Sequence, residues 1–195
     1  MDATLSTGEY NRVMSSRNNG LDSLIVAADQ ALRTLSAPPA ALQSSPAAQV
    51  TDSVLSTKDR RTSIELMRVN HAGEISAQAL YRGQSILARS PDTRRHLLQA
   101  ASEEQDHLAW CSERLTELGG RPSLLDPLWY AGSFLVGLVA GAAGDNISLG
   151  FVTETERQVE AHLQDHLSRL PESDTKSISI LKRMAEDEAH HGTTA

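Results

Sequence analysis

The chain has 195 residues, of which 39% are hydrophobic, and this length is sufficient for one domain with a sizeable core. A formal net charge of −7 argues against a nucleic-acid partner, because proteins that bind the phosphate backbone normally present a basic face. The single cysteine, Cys111, excludes an intramolecular disulfide and a cysteine-rich zinc or iron–sulfur site.

The first 62 residues show little capacity to form a core. Residues 1–20 are polar and lack the basic start and apolar stretch of a secretory signal, so we predict a disordered tail in a reducing, cytosol-facing compartment. The apolar spacing in residues 21–35 predicts a short amphipathic helix. Residues 36–62 begin with a proline-containing stretch of low complexity, and we predict that they form a linker.

Residues 63–195 show helical periods and few strand signals, which predicts an all-α domain. Ser90 followed by Pro91 is typical of a helix start, and Pro171 ends another helix. We predict an antiparallel bundle of four core helices: residues 64–88, 91–118, 149–170 and a last helix from Ser173 or Asp174 to the C-terminus. The uncharged residues 128–144 form an additional hydrophobic helical segment.

Ionisable side chains interrupt the apolar stripe of every predicted core helix. Steps of three and four residues place a Glu-x-x-His pair inward on the second and fourth helices, and a single glutamate inward on the first and third. These six inward-facing residues are Glu74, Glu104, His107, Glu156, Glu188 and His191.

Four buried carboxylates would repel one another and take up protons unless cations neutralised them. Two metal ions resolve this conflict, and a mixture of carboxylate and imidazole ligands suits iron or manganese. Ferritin-like di-metal proteins use the same set, with one glutamate from each of two helices and Glu-x-x-His from each of the other two. The sequence therefore predicts a ferritin-like four-helix bundle with a two-metal site.

Neighbouring residues leave parts of this site open. Asp187 and His190 are also three residues apart, so a one-residue shift of the last helix would exchange them for the predicted pair. Glu160 shares part of the Glu156 face and is a candidate for a supporting contact. Tyr81 lies on the inward stripe of the first helix. Its hydroxyl could form a hydrogen bond near the metals, but packing in the core is the more common role of a buried tyrosine.

Three motifs resemble the demethoxyubiquinone hydroxylase family, the di-iron monooxygenases of ubiquinone biosynthesis in their bacterial form. They are LMRVNHAGEISAQALYRGQ, EEQDHLAWCSERLTELGGRPSLLDPLWY and RMAEDEAHH, and the resemblance covers residues 64–191. The metal ligands that the family pattern implies fall on the same six residues as the stripe analysis. A family histidine near the substrate matches His162.

The resemblance implies hydroxylation of the ring of 2-polyprenyl-3-methyl-6-methoxy-1,4-benzoquinol. Two Fe2+ ions, O2 and an external reductant such as NADH are the implied cofactors and co-substrates. The implied location is peripheral, on the cytoplasmic face of the bacterial inner membrane. Other ubiquinone-biosynthesis proteins and a second copy of the chain are further expected partners. Family members usually continue into another helical stretch beyond the last ligand, so we expect either a short gene product or a fragment.

The hydrophobic segment admits three interpretations. It is a buried core helix packed through its glycines, a lip that enters one leaflet and admits a lipid tail, or a membrane span of barely sufficient length. Two other function classes also stay open: a non-catalytic helical protein that binds lipid or quinone, and a ferritin-like iron-handling protein.

Overall fold

The computed structural model describes residues 20–36, 39 and 41–194, with side chains from residue 25 to residue 189 of these ranges. The described residues form six helices and no strand. The helices are α1 (Gly20–Ser36), α2 (Thr57–Leu87), α3 (Pro91–Glu117), α4 (Asp126–Ala142), α5 (Asp145–Arg169) and α6 (Thr175–Thr194). The predicted disordered tail lies outside the described residues, except for Gly20.

Four long helices, α2, α3, α5 and α6, form the predicted bundle, with α2 against α3 and α5 against α6. Apolar side chains such as Met67, Leu115, Leu163 and Leu181 fill one end of its core. The predicted caps are present: Ser90 accepts a hydrogen bond at the start of α3, and the carboxylate of Asp174 accepts one from the Ser177 amide at the start of α6. Of the two predicted caps for α6, Asp174 is therefore the one that acts.

Two boundaries differ from the prediction. Helix α5 begins at Asp145 rather than at Leu149, because Gly144 has a φ of 108° and separates it sharply from α4. Helix α2 begins at Thr57, seven residues before the predicted start at residue 64, because the Ser56 hydroxyl accepts a hydrogen bond of 3.1 Å from the Asp59 amide.

The segment predicted as a linker is also more ordered than its composition suggested. Ala47 and Leu55 are buried in the main core cluster. The Trp110 indole donates to the Gln43 carbonyl at 3.3 Å, and Asp106 accepts from the Gln43 amide at 3.3 Å. Since side chains of α3 and α6 and two turn bonds satisfy part of its backbone, this segment packs on the bundle without any periodic pattern.

Helix α4 packs on α2 through glycines and exposes apolar side chains on its opposite face. A Cβ added at Gly137 would collide with the Leu80 carbonyl oxygen, so the two backbones approach closely. The opposite face exposes Leu128, Leu135 and Val139. The interpretation of the hydrophobic segment as a buried core helix is therefore correct only for the face of α4 that bears the glycines. No helix in the described ranges is both long and apolar enough to cross a membrane.

Replacing Gly137 with alanine will destabilise the protein, because the added methyl group forces α4 away from α2. We expect a loss of about 1–3 kcal/mol in the free energy of unfolding, measured by urea denaturation. Gly132→Ala in the same helix is the matched control, since its Cβ would meet no atom within 4 Å. Equal stability of the two variants would show that the close approach is not tightly packed.

Candidate metal centre

The bundle core contains a cluster of buried carboxylates around one imidazole. The structure brings together five of the six predicted ligands: Glu74, Glu104, His107, Glu156 and Glu188. The sixth, His191, lies in α6, but its side chain is outside the described ones. Each of the four core helices therefore contributes at least one glutamate.

The cluster divides into two overlapping groups. Ligand atoms of Glu74, Glu104 and His107 lie within 4.8 Å of one another, as do those of Glu104, Glu156 and Glu188. Glu104 belongs to both groups. Glu104 would therefore help to hold each ion of a two-metal site.

The orientation of His107 distinguishes its two ring nitrogens. Nδ1 lies 3.3 Å from Glu104 Oε2, 3.3 Å from Glu188 Oε1 and 3.7 Å from Glu74 Oε2, so it faces the cluster. Nε2 faces away and lies 3.2 Å from Asp187 Oδ2. Nδ1 is therefore the nitrogen that is directed toward a metal.

Asp187 lies on the outer side of this imidazole rather than inside the cluster. Arg183 donates to the same carboxylate oxygen at 3.0 Å. Burial raises the pKa of Asp187, but its contacts with His107 and Arg183 outweigh burial and hold the pKa below its usual value. The geometry thus favours Glu188 over Asp187 as the ligand, and it gives Asp187 the role of orienting His107.

Electrostatics make this cluster a site for cations. Burial and the neighbouring Glu74 raise the pKa of Glu104 well above its ordinary value, and burial and Glu104 raise that of Glu188. Burial lowers the pKa of His107, but the surrounding carboxylates raise it more. Bound cations would relieve the repulsion that raises the pKa values of Glu104 and Glu188. The cluster's donor set of carboxylate oxygens and an imidazole nitrogen fits iron.

Tyr81 forms a hydrogen bond inside the cluster. Its hydroxyl donates to Glu156 Oε1 at 2.6 Å, and both side chains are 1% exposed. Sequence analysis placed this tyrosine on the correct stripe but favoured simple packing. The partner is 75 residues away in the chain, so no local pattern indicates the bond.

Replacing Tyr81 with phenylalanine will weaken iron binding by about 10-fold, because the bond that fixes Glu156 is lost. Competition with a coloured chelator measures this affinity. Tyr130→Phe is the matched control, since the buried Tyr130 hydroxyl has no hydrogen-bond partner among the described residues. An affinity equal to that of the control variant would contradict a role for the bond in holding Glu156.

A cavity of about 440 Å³ connects the cluster with the protein surface. Glu74, Glu104 and Glu188 line its inner end, and apolar side chains of α2 and α5 line its walls. Trp129 of α4 also lines it and is 48% exposed. A molecule entering beside α4 would therefore reach the carboxylate cluster between largely apolar walls.

His162, the predicted substrate-facing histidine, lines this cavity. Its ring lies 3.9 Å from the ring of His166, measured between centroids. His166 Nδ1 lies 2.8 Å from the buried Asn70 Oδ1, and burial together with His162 lowers the pKa of His166 to about 4. The neutral His166 ring donates a hydrogen bond to Asn70 and packs against the ring of His162. Glu160, the predicted supporting residue, is half-buried and is not among the residues that line the cavity.

Comparison with known proteins gives a consistent picture. The sequence profile of the ubiquinone biosynthesis protein COQ7 family matches residues 61–195. A 3-demethoxyubiquinol 3-hydroxylase of Legionella pneumophila (strain Paris) is 58% identical over 90% of this chain and 83% of its own length. The protein of the same name from Xylella fastidiosa (strain Temecula1) is 52% identical over 100% of this chain and 86% of its own length.

The fold is also similar to that of a solved structure. A dodecameric thioferritin, the bacterioferritin-related protein from Bacteroides fragilis, superposes with a TM-score of 0.57 over 69% of this chain and 82% of that chain. The sequence identity is 18%, so the likeness concerns the fold alone. It confirms the predicted ferritin-like, all-α class.

Proposed function

This chain belongs to the family of the ubiquinone biosynthesis protein COQ7, and we propose that it is an O2-dependent monooxygenase that hydroxylates the ring of 2-polyprenyl-3-methyl-6-methoxy-1,4-benzoquinol. Relatives that are 52–59% identical over most of the chain are named 3-demethoxyubiquinol 3-hydroxylase. The observation that carries the proposal is the buried Glu/His cluster at the inner end of a surface-connected cavity. The product is demethylubiquinol, formed late in ubiquinone biosynthesis.

The residues present fit two iron ions. Glu74, Glu104 and His107 would hold one, and Glu104, Glu156 and Glu188 would hold the other, with His191 as the sixth predicted ligand. When bound, the iron pair supplies the activation of O2 by which one oxygen atom enters the ring and the other leaves as water. An external reductant such as NADH would supply the electrons.

The chain itself positions the quinol and excludes water. The cavity wall includes the apolar side chains of Val69, Ala77, Val159 and Leu163, so a bound ring would displace water from the space beside the cluster and strengthen the action of its charges. His162 lines the cavity and would offer a polar contact to a ring oxygen. The polyprenyl tail would leave the cavity beside Trp129 and lie along the exposed face of α4.

We infer peripheral attachment to the cytoplasmic face of the bacterial inner membrane. The exposed apolar side chains of α4 and the lipid nature of the substrate support this location. Association with other ubiquinone-biosynthesis proteins and with a second copy of the chain stay predictions. A ferritin-like iron-handling role and a non-catalytic protein that binds lipid or quinone are less well supported, because the relatives above carry the name of a hydroxylase.

The test is a reaction with isotopically labelled O2. The protein is loaded anaerobically with Fe2+, mixed with a short-tailed demethoxy-quinol and a reductant, and the product is analysed by mass spectrometry. We expect the label in the new ring hydroxyl. A folded, iron-loaded protein that leaves the quinol unchanged under every reductant tried would exclude the hydroxylase and favour an iron-handling role.

A further inference from the structure

A second cavity lies between α1, α2, α3 and α4, and none of the predicted metal ligands lines it. Its volume is about 230 Å³. The apolar part of its wall comes from Val26, Ile86, Leu98, Tyr130 and Phe134. Such a volume is below the roughly 300–1,000 Å³ of sites that enclose a whole small ligand, so an occupant would extend outside it.

Two arginines give this cavity a positive charge. Arg82 donates to the Thr34 hydroxyl at 2.8 Å and to the Gln30 carbonyl at 3.4 Å, and Arg94 donates to the Ile86 carbonyl at 3.3 Å. These acceptors are neutral, and within the described part of the chain neither guanidinium forms an ion pair. Each guanidinium has five N–H donors, so both keep donors for an anion.

The surroundings of the cavity are apolar and accessible. Val26 is 54% exposed and Leu98 is 43% exposed, although both line the cavity. Ile25, next to Val26 on α1, is also exposed. An occupant that satisfies this site must therefore carry an anionic group for the arginines and apolar carbons for the rim.

We propose that this cavity binds the phosphate of an anionic phospholipid head group, while the acyl chains stay outside against the apolar rim. Guanidinium groups match phosphate oxygens in charge and geometry, and a rim of exposed apolar side chains matches the interfacial region of a bilayer. The proposal rests on the membrane attachment proposed above.

A bound head group would also orient the enzyme. Helix α4 lines this cavity through Phe134 and the main cavity through Trp129. Arg82 connects the site to α1 through Thr34. Binding at the arginines would therefore bring α1 and α4, the helix that lines both cavities, close to the bilayer.

The test is sedimentation of the full chain with vesicles of phosphatidylcholine, alone or with about one third phosphatidylglycerol. We expect tighter binding to the anionic vesicles, and a loss of about fivefold of that affinity in each of Arg82→Gln and Arg94→Gln. Arg95→Gln is the matched control, because it removes the same charge one residue from Arg94 but from an arginine paired with Asp92 at 3.0 Å. Binding of the control variant should fall much less.

Each other outcome overturns the proposal in a distinct way. An equal loss in Arg94→Gln and Arg95→Gln would mean that general surface charge, and not the cavity, attracts the lipid. Micromolar binding of inorganic phosphate by the chain without vesicles, joined with equal binding to both vesicle types, would identify free phosphate as the ligand. Equal binding to both vesicle types would exclude the head-group site but keep the membrane attachment. Binding to neither vesicle type would exclude the site and the membrane attachment. Because Arg82 also contacts α1, Arg82→Lys and a circular dichroism spectrum distinguish lost charge from lost structure.

Discussion

Replacing Glu104 with glutamine will abolish iron binding and ring hydroxylation, and will make the metal-free protein more stable at neutral pH. Glu104 belongs to both groups of ligand atoms, so its loss affects both ions. We expect iron affinity and turnover to fall by more than about 100-fold, since even residues that only orient a ligand contribute 10–100-fold.

The gain in stability follows from the pKa of Glu104. Burial and Glu74 raise this pKa in the folded state above its value in the unfolded chain. Such a group favours folding below its unfolded pKa and loses that contribution as pH rises through the folded pKa. At neutral pH, burying Glu104 therefore lowers the free energy of unfolding of the metal-free wild type by about 2 kcal/mol, and glutamine removes this loss.

Thermal unfolding in the presence of a chelator, followed from pH 7.5 down toward the carboxylate range near pH 4.5, measures this difference. The advantage of Glu104→Gln should shrink as the pH falls. Glu113→Gln is the matched control, because Glu113 is exposed on the same helix α3. A variant that is less stable than wild type at neutral pH would mean that hydrogen bonding of this carboxylate outweighs its repulsion by the others.

The helices and the glutamates of the cluster could be predicted from the sequence for one physical reason. A helix of 3.6 residues per turn places positions three and four apart on one face, so a charge on an apolar stripe is visible without a structure. Glu74, Glu104, Glu156 and Glu188 were all recognised in this way, and all are buried together.

Features that depend on contacts between distant residues were not accessible to the same reasoning. Which ring nitrogen of His107 faces Asp187 depends on the rotation of the imidazole, and residue spacing does not determine that rotation. The segment of residues 41–55 has no period because single turn bonds and side chains of α3 and α6, rather than a regular helix or strand, satisfy part of its backbone. For α4, composition indicated an apolar surface. It did not indicate that the face bearing the glycines packs against α2.

Removing the carboxylate of Asp187 will weaken iron binding without removing the site. In Asp187→Ala the Nε2 atom of His107 loses the acceptor that lies 3.2 Å away, and the ring is free to rotate. Loss of such a partner typically reduces metal affinity by 10–100-fold, and we expect a value in this range from chelator competition. Asp187→Asn keeps an oxygen acceptor without the charge and should lose less.

Comparing Asp187→Ala with Glu188→Ala also decides the register of α6. Glu186→Ala is the control for a lost charge, since Glu186 is exposed beside Asp187. If Glu188 is the ligand, Glu188→Ala will lose iron completely and Asp187→Ala only in part. If the helix is shifted by one residue in the iron-loaded protein, the order of these two effects will reverse. The order of the effects, more than their size, therefore distinguishes a residue that binds the metal from one that holds the imidazole beside it.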